Sequence, residues 1–340
     1  MGRTLLILAV VLPLLCFLLA KYQDADFLLL FYELFGKNAT VALQGKVVWI
    51  TGASSGIGEY LAYELAKSGC KLVLSARRKD ELERVKQKCV AISSALYPSF
   101  QDRDILVLPL DLLQFETHGN LTIDVMKHFG KVDILVNNGA RGQVSWIKET
   151  PLEVDRALLN LNLVGTISLT KAVLPHMIQQ QQGDIVVVSS GTGKFGSPFS
   201  STYSASKFAL HGFFDTARLE LGEHNINVQM VCPGPVESNV LDHVFTKDIN
   251  LSLKDIPSFF AFWKAERKGG SGKALRKMPT ERCAKLMVVG MANNLDEVWI
   301  SEYPYLLSYY MNQYLPNLTR WLCKKYSISM IKALINMESE

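Results

Sequence analysis

The sequence predicts an α/β fold: one doubly wound parallel sheet in a single domain, preceded by a membrane anchor and followed by a C-terminal extension. Three observations carry that expectation. Short, fully apolar runs alternate with segments of helical periodicity, the pattern of strands buried on both faces and joined by crossover helices. The first run enters a glycine-rich loop and then a helix. The hydroxyl, amide and carboxylate side chains that stand out fall where a run ends, and parallel sheets bind ligands at the carboxyl ends of their strands.

Composition bounds the function. With 340 residues, 49% of them hydrophobic, the chain has ample material for one large domain with appendages. A net charge of +4 gives no ground for a nucleic-acid partner. Cys16, Cys70, Cys89, Cys232, Cys283 and Cys323 have neither zinc-site nor Cys-x-x-Cys spacing. They read as core-filling thiols, with no metal and no disulfide framework expected.

Residues 1–40 read as anchor and linker. Thr4 to Ala20 is a run of 17 residues without a charge, bounded by Arg3 and Lys21. It is at the short limit of a span and longer than a signal-peptide core, and it lacks a small-x-small cleavage pattern. An uncleaved single-pass anchor is therefore expected. Phe27 to Phe35 carries Glu33 and reads as an amphipathic helix at the membrane interface. The slight basic asymmetry tilts towards a cytoplasmic N-terminus and a catalytic domain in the lumen of the endoplasmic reticulum. Asn-x-Ser/Thr triplets at Asn38, Asn120, Asn250 and Asn317 lend that orientation faint support.

Residues 45–302 read as the catalytic domain. Val47 to Ile50 is a buried strand running into Thr51-Gly52-Ala53-Ser54-Ser55-Gly56-Ile57-Gly58 and a helix over 59–68. Glycines permit a tight turn and close approach of a pyrophosphate, and the helix start adds N–H groups and a positive dipole end. The second strand, Lys71 to Ser75, leads to Ala76-Arg77-Arg78 instead of the carboxylate that would hold a ribose 2′-hydroxyl. Guanidinium groups suit a 2′-phosphate, so the cofactor expected is NADP(H). A third strand over 105–111 ends in Asp111, and a fourth over 132–136 ends in Asn137-Asn138-Gly139-Ala140, with helices over 81–95 and 115–129 between. Arg141 follows, its role open between a ligand contact and a solvated loop.

Pro151 opens a helix expected to run unbroken to about Gln182. A fifth strand over 184–190 ends in Ser189 and Ser190. A sixth, over 227–231, ends in Cys232-Pro233-Gly234-Pro235-Val236, and a last one covers 298–301. Between the fifth and sixth stands Tyr203-Ser204-Ala205-Ser206-Lys207. Tyrosine and lysine four apart share a helix face. A buried ammonium beside a phenol lowers the phenol's pKa from about 10 towards neutrality, which makes an acid/base for carbonyl and alcohol chemistry.

These motifs, in order over residues 46–240, resemble those of the short-chain dehydrogenase/reductase family, in its NADP(H)-preferring branch. The resemblance implies a Rossmann-type fold and an oxidoreductase. It makes Tyr203 the acid/base, Lys207 the group that lowers its pKa and holds the nicotinamide ribose, and Ser190 a donor to the substrate oxygen. Asn162, three residues before Gly165, would hold a proton-relaying water. Gly52, Ser54, Ser55, Gly56, Ile57, Gly58, Arg77, Arg78, Asp111, Leu112, Asn138, Gly139, Pro233, Gly234, Val236 and Ser238 map onto cofactor-contacting positions. The cofactor implied is NADP(H).

From Val240 to Met278 the pattern loosens into an aromatic cluster, Ser258 to Trp263, and a basic stretch, where the family places a substrate lid. Residues 303–340 form an aromatic extension that covers the pocket, meets a membrane, or pairs with a second subunit as a homodimer. The expected substrate is a lipophilic carbonyl or alcohol; the resemblance implies steroid, retinoid or xenobiotic classes. The alternatives are a 3-keto-lipid reductase with the same chemistry and a non-catalytic nucleotide-binding scaffold.

Overall fold

β1 (Val47–Thr51) is buried along its whole length. Its residues alternate between the two faces of a sheet. Val48 and Ile50 pack in one apolar cluster, Val47 and Trp49 in another. That alternation is what two helical layers on one sheet require. The structure is a computed structural model in which residues 23–238, 244–249, 251 and 277–336 are described, residues 327–336 by their backbone alone. The N-terminal apolar run and the aromatic cluster at 258–263 lie outside the described residues.

β1 is followed by β2 (Lys71–Ser75), β3 (Ile105–Val107), β4 (Ile134–Asn137), β5 (Gly183–Val188), β6 (Ile226–Pro233) and β7 (Glu297–Ile300). They form one parallel sheet in the order β3-β2-β1-β4-β5-β6-β7. Strand order reverses at β1, between β2 and β4, and such a switch point opens a ligand crevice above the carboxyl ends. One helical layer comprises α3 (Gly56–Lys67), α4 (Lys79–Leu96) and α9 (Thr280–Ala292), with Leu61, Leu65 and Leu286 buried against the sheet. The other comprises α5 (His118–Phe129), α6 (Leu152–Leu159), α7 (Gly165–Gln180) and α8 (Ser201–Leu221), with Leu169, Val173 and Phe214 buried. The doubly wound single domain is as the sequence predicts.

Two elements differ from expectation. The third strand pairs only over Ile105–Val107. Pro109 has no N–H to continue the ladder, although Leu108 and Leu110 still donate to Leu74 and Ala76 across β2 at 3.0 Å. The helix expected over 151–182 is broken: a π turn, Asn160–Val164, separates α6 from α7. The wider turn sits at Asn162, and π turns recur at functional positions. Leu152–Gln180 is also the one stretch among the described residues long and apolar enough to cross a membrane. Its buried Leu169, Val173 and Met177 make it a core helix.

α1 (Phe27–Phe35), read above as an amphipathic helix at a membrane interface, packs on the domain as well. Asp26 caps it, accepting from Leu29 N at 2.9 Å. One face is docked on the domain: Leu29 is fully buried, Ala25 bridges Ile300, and Arg282 of α9 holds both Asp24 and Glu33. Phe27, Leu28, Phe31, Leu34 and Phe35 remain exposed on the rest of the helix. α2 (Ala39–Leu43) leads into β1. At the other end of the chain, α10 (Tyr305–Tyr314) and α11 (Pro316–Asn336) follow β7.

Candidate active site

Every loop at the carboxyl end of β1 to β6 contributes to one cleft of about 430 Å³. The β1 loop forms its floor. Gly52 has φ +65, and a Cβ there would stand 2.9 Å from Gly139 Cα. At Gly58, in the first turn of α3, a Cβ would meet Gly52 O at 2.3 Å. Only glycine permits both the left-handed turn and the packing of helix on loop. Asn138 ties this loop to β4. Its Nδ2 donates to Thr51 O at 2.9 Å, and its N–H and that of Gly139 donate to Thr51 Oγ1 at 3.0 Å.

Beside this floor Arg77 and Arg78 leave β2, both exposed. Arg78 Nη2 donates to Ser54 Oγ at 3.2 Å, which places its guanidinium over the glycine loop. Asp111 and Leu112 close that end of the cleft, and Pro233, Gly234, Val236 and Ser238 line it from β6.

At the far end Ser190, Tyr203 and Lys207 share the cleft wall. α8 delivers the last two. Its first turn is capped by a residue that sequence reasoning missed: Gln143 Oε1 accepts from Thr202 N at 2.8 Å and Tyr203 N at 3.1 Å. Burial pushes the Tyr203 phenol up from its ordinary value, and a hydrogen bond from the Ser190 hydroxyl works the other way. Lys207 is buried and donates to Val188 O at 2.8 Å. Burial pushes it down to about 8, against a small upward pull from Cys232. Burial thus works against the shift towards neutrality expected from Lys207. The ammonium points at a carbonyl and lies 5.7 Å from the phenol ring centroid, while desolvation disfavours the phenolate.

Two residues expected in the site stand behind its wall. Gly58 packs under the loop. Asn162 is buried in the π turn, where Oδ1 accepts from Arg141 N at 2.9 Å and Nδ2 donates to Arg141 O at 2.9 Å and Ser206 Oγ at 3.3 Å. The other expected residues line the cleft, joined by Arg141, Ser189 and Lys277.

Behind Ser190 lies a polar cluster with no motif to announce it. Ser189 Oγ is 3.1 Å from His211 Nε2, and Cys232 Sγ is 3.7 Å from the same nitrogen. Glu297 Oε2 is 3.6 Å from His211 Nδ1, and its Oε1 accepts from Lys194 Nζ at 2.7 Å. Burial and the nearby Lys194 lower the His211 pKa, which favours the neutral ring. α10 covers this cluster: Asn312 Nδ2 donates to Lys194 O at 2.8 Å, and a Cβ on Gly191 would collide with Tyr309.

Comparison with known proteins agrees with this geometry. The family described as short chain dehydrogenase matches residues 46–248. Dehydrogenase/reductase SDR family member 7 of Mus musculus is 47% identical over 319 residues, covering 93% of this chain and 88% of the relative. The Homo sapiens protein of the same description is 46% identical over 323 residues, covering 94% and 89%. A short-chain dehydrogenase from Streptomyces avermitilis shares the fold with a TM-score of 0.64, at 24% identity, over 84% of this chain and 97% of its own. A doubly wound sheet, a glycine floor at its switch point and a tyrosine–lysine helix beside it are thus joined to homology along most of the chain, and the chain belongs to the short-chain dehydrogenase/reductase family of oxidoreductases, whose fold takes a nicotinamide nucleotide.

Proposed function

We propose that the protein is an NADP(H)-dependent carbonyl reductase or alcohol dehydrogenase acting on lipophilic substrates. The observation that carries this reading is the cleft itself. Arg77 and Arg78 flank its glycine floor at one end, and Ser190, Tyr203 and Lys207 meet at the other. The residues fit a dinucleotide: side chains at Gly52 and Gly58 would fill the space against the β4 loop and the α3 start, and two guanidiniums stand where a 2′-phosphate reader is needed. The bound nicotinamide supplies or accepts the hydride.

The chain's own residues handle the proton and the oxygen. Tyr203, held protonated by burial, gives its proton to a carbonyl oxygen; in the reverse direction it takes one from the alcohol. Ser190 donates a hydrogen bond to the same oxygen and steadies the charge that develops there. Lys207 supplies positive charge beneath the phenol. Asn162 acts as a positioning residue: it fixes the β4 loop through Arg141 and α8 through Ser206. Leu161, Val188 and Val236 give the wall apolar surface suited to a lipophilic substrate. Steroid, retinoid and xenobiotic carbonyls fit that description.

The N-terminal apolar run supports a single-pass anchor in the endoplasmic reticulum membrane with a lumenal catalytic domain. Asn38, Asn120 and Asn317 are exposed. Protease digestion of intact microsomes tests the topology: protection of the catalytic domain supports it, and cleavage without detergent contradicts it. The enzymatic reading is tested by NADPH consumption with a panel of lipophilic ketones, comparing the detergent-purified full chain with Tyr203→Phe.

A further inference from the structure

α1 (Phe27–Phe35) presents an apolar face to solvent. Phe27, Leu28, Phe31, Leu34 and Phe35 are all exposed, Leu34 by 75% and Phe35 by 72%. At 3.6 residues per turn these five fall within an arc of about 120°. The opposite side holds Leu29, which is fully buried, and Glu33, which is paired with Arg282. A helix on a soluble domain turns its apolar stripe inward and its charged residues outward. The outer arc of α1 carries no charged side chain. Contiguous exposed apolar surface of this kind marks a contact with protein or membrane.

The helix is held firmly from beneath. Arg282 Nε donates to Asp24 Oδ2 at 2.6 Å, and its Nη2 donates to Glu33 Oε2 at 2.8 Å. Lys37 N donates to Asn293 Oδ1 at 2.8 Å, and Phe27 N donates to the Tyr310 hydroxyl at 3.1 Å. The Phe27 and Tyr310 rings lie 5.9 Å apart. These tethers join α1 to α9, to the turn after it and to α10, so the outer arc keeps a fixed direction relative to the domain.

The sequence indicates what lies against it. The uncharged run Thr4 to Ala20 ends six residues before Asp26, the cap of α1. Six residues span at most about 20 Å, so α1 starts within that distance of a bilayer that the run enters. Phenylalanine and leucine on an uncharged helix face suit the boundary between headgroups and acyl chains.

We propose that the outer arc of α1 is a membrane-docking face, seated in the lipid interface beside the N-terminal run. This rests on the anchor reading above. Its consequence is a domain held in one orientation over the bilayer, where a six-residue tether alone would let it swing.

The test is nitroxide accessibility on the full chain in phosphatidylcholine vesicles. Labels are placed singly through Phe31→Cys, Leu34→Cys and, as a reference on an exposed position of α4, Gln87→Cys. Cys16→Ser and Cys323→Ser form the background. Circular dichroism confirms that each variant is folded, and vesicle flotation reads the anchor. The proposal predicts that labels at 31 and 34 lose accessibility to a water-soluble nickel chelate and gain collisions with lipid-soluble oxygen, while the label at 87 stays open to the chelate. Chelate accessibility at 31 and 34 equal to that at 87, in a chain that floats, overturns the proposal alone. Dipolar broadening between labels at 31 puts a second copy on the face and also overturns it. So does protection from the chelate without a gain in oxygen collisions, which means that the chain itself covers the face. A chain that does not float removes the anchor reading and this proposal together.

Discussion

Asn162 holds Arg141 by both of its backbone groups, accepting from the N–H and donating to the carbonyl at 2.9 Å each. The buried carboxamide of one element thereby sets the loop that follows β4. Replacing Asn162 with alanine leaves those two groups without these partners, at a cost of about 1–3 kcal/mol each. Asn162→Ala is expected to lower Tm and to weaken nucleotide binding together. Asn162→Asp keeps the acceptor but sets a carboxylate against the Arg141 carbonyl, so it should recover less than half of the loss. Thermal melts and NADPH titration measure both. An Asn162→Ala protein with normal affinity would sink the positioning role.

Burial of Lys207 costs stability that pH can release. Its folded pKa of about 8 lies below its ordinary 10.5. Between these values the unfolded chain binds more protons, so stability rises with pH across that window and the penalty is fully present below it. The gap amounts to about 3 kcal/mol. Lys207→Met is therefore expected to melt no lower than wild type at pH 7 while losing activity. Its stability gain over wild type should shrink between pH 8 and 10.5. A large destabilisation at pH 7 would mean that the bond to Val188 outweighs desolvation.

The raised Tyr203 pKa gives the two reaction directions different pH profiles. Reduction needs the protonated phenol and should be flat in kcat/KM through neutral pH. Oxidation needs the phenolate and should climb as pH rises. Steady-state profiles in both directions decide it. An oxidation profile already at plateau by pH 7 contradicts a phenol held up by burial.

Arg77 and Arg78 stand at the cleft end opposite Tyr203. Arg77→Ala is expected to raise KM for NADPH at least tenfold, the worth of one charge-assisted contact of about 1.5–3 kcal/mol, and to leave KM for NADH nearly unchanged. Equal effects on the two cofactors would remove the 2′-phosphate assignment.

The docking of α1 combines an ion pair with apolar burial. Arg282 holds the Glu33 carboxyl down to about 2, so the stabilisation from that pair is present above the ordinary carboxylate range and lost as pH falls towards 2. Partly exposed pairs contribute little, about 0–1 kcal/mol, whereas truncating a buried leucine costs about 2–5 kcal/mol. Leu29→Ala should therefore expose residues 27–35 to hydrogen exchange more than Arg282→Ala does. The reverse order would make the ion pair the principal tether.

Much of this architecture is legible in the sequence because it is local. Val47-Val48-Trp49-Ile50 is a strand buried on both faces and says so in four residues. The glycine loop, Asn137-Asn138 and Tyr203-x-x-x-Lys207 each keep their spacing within one turn or one helix face. What was hidden depends on partners distant in sequence. Gln143 caps a helix that starts 58 residues later, at Ser201. His211 meets Glu297 across 86 residues, and Glu33 meets Arg282 across 249. The π turn at Asn162 cannot be told from α-helix by periodicity, because its apolar neighbours keep the helical pattern. The acceptor of Lys207 was hidden for a related reason: spacing shows that two side chains share a face, while Val188 O is supplied by a different strand.

The central claim is that Tyr203 is the proton half of a hydride-transfer site. It is tested most directly by single-turnover reduction of a lipophilic ketone with NADPH, comparing wild type with Tyr203→Phe at matched nucleotide occupancy. The account predicts intact NADPH binding and a rate lowered by at least about 100-fold, the usual contribution of a positioned acid. A Tyr203→Phe protein that reduces the ketone at the wild-type rate would contradict it.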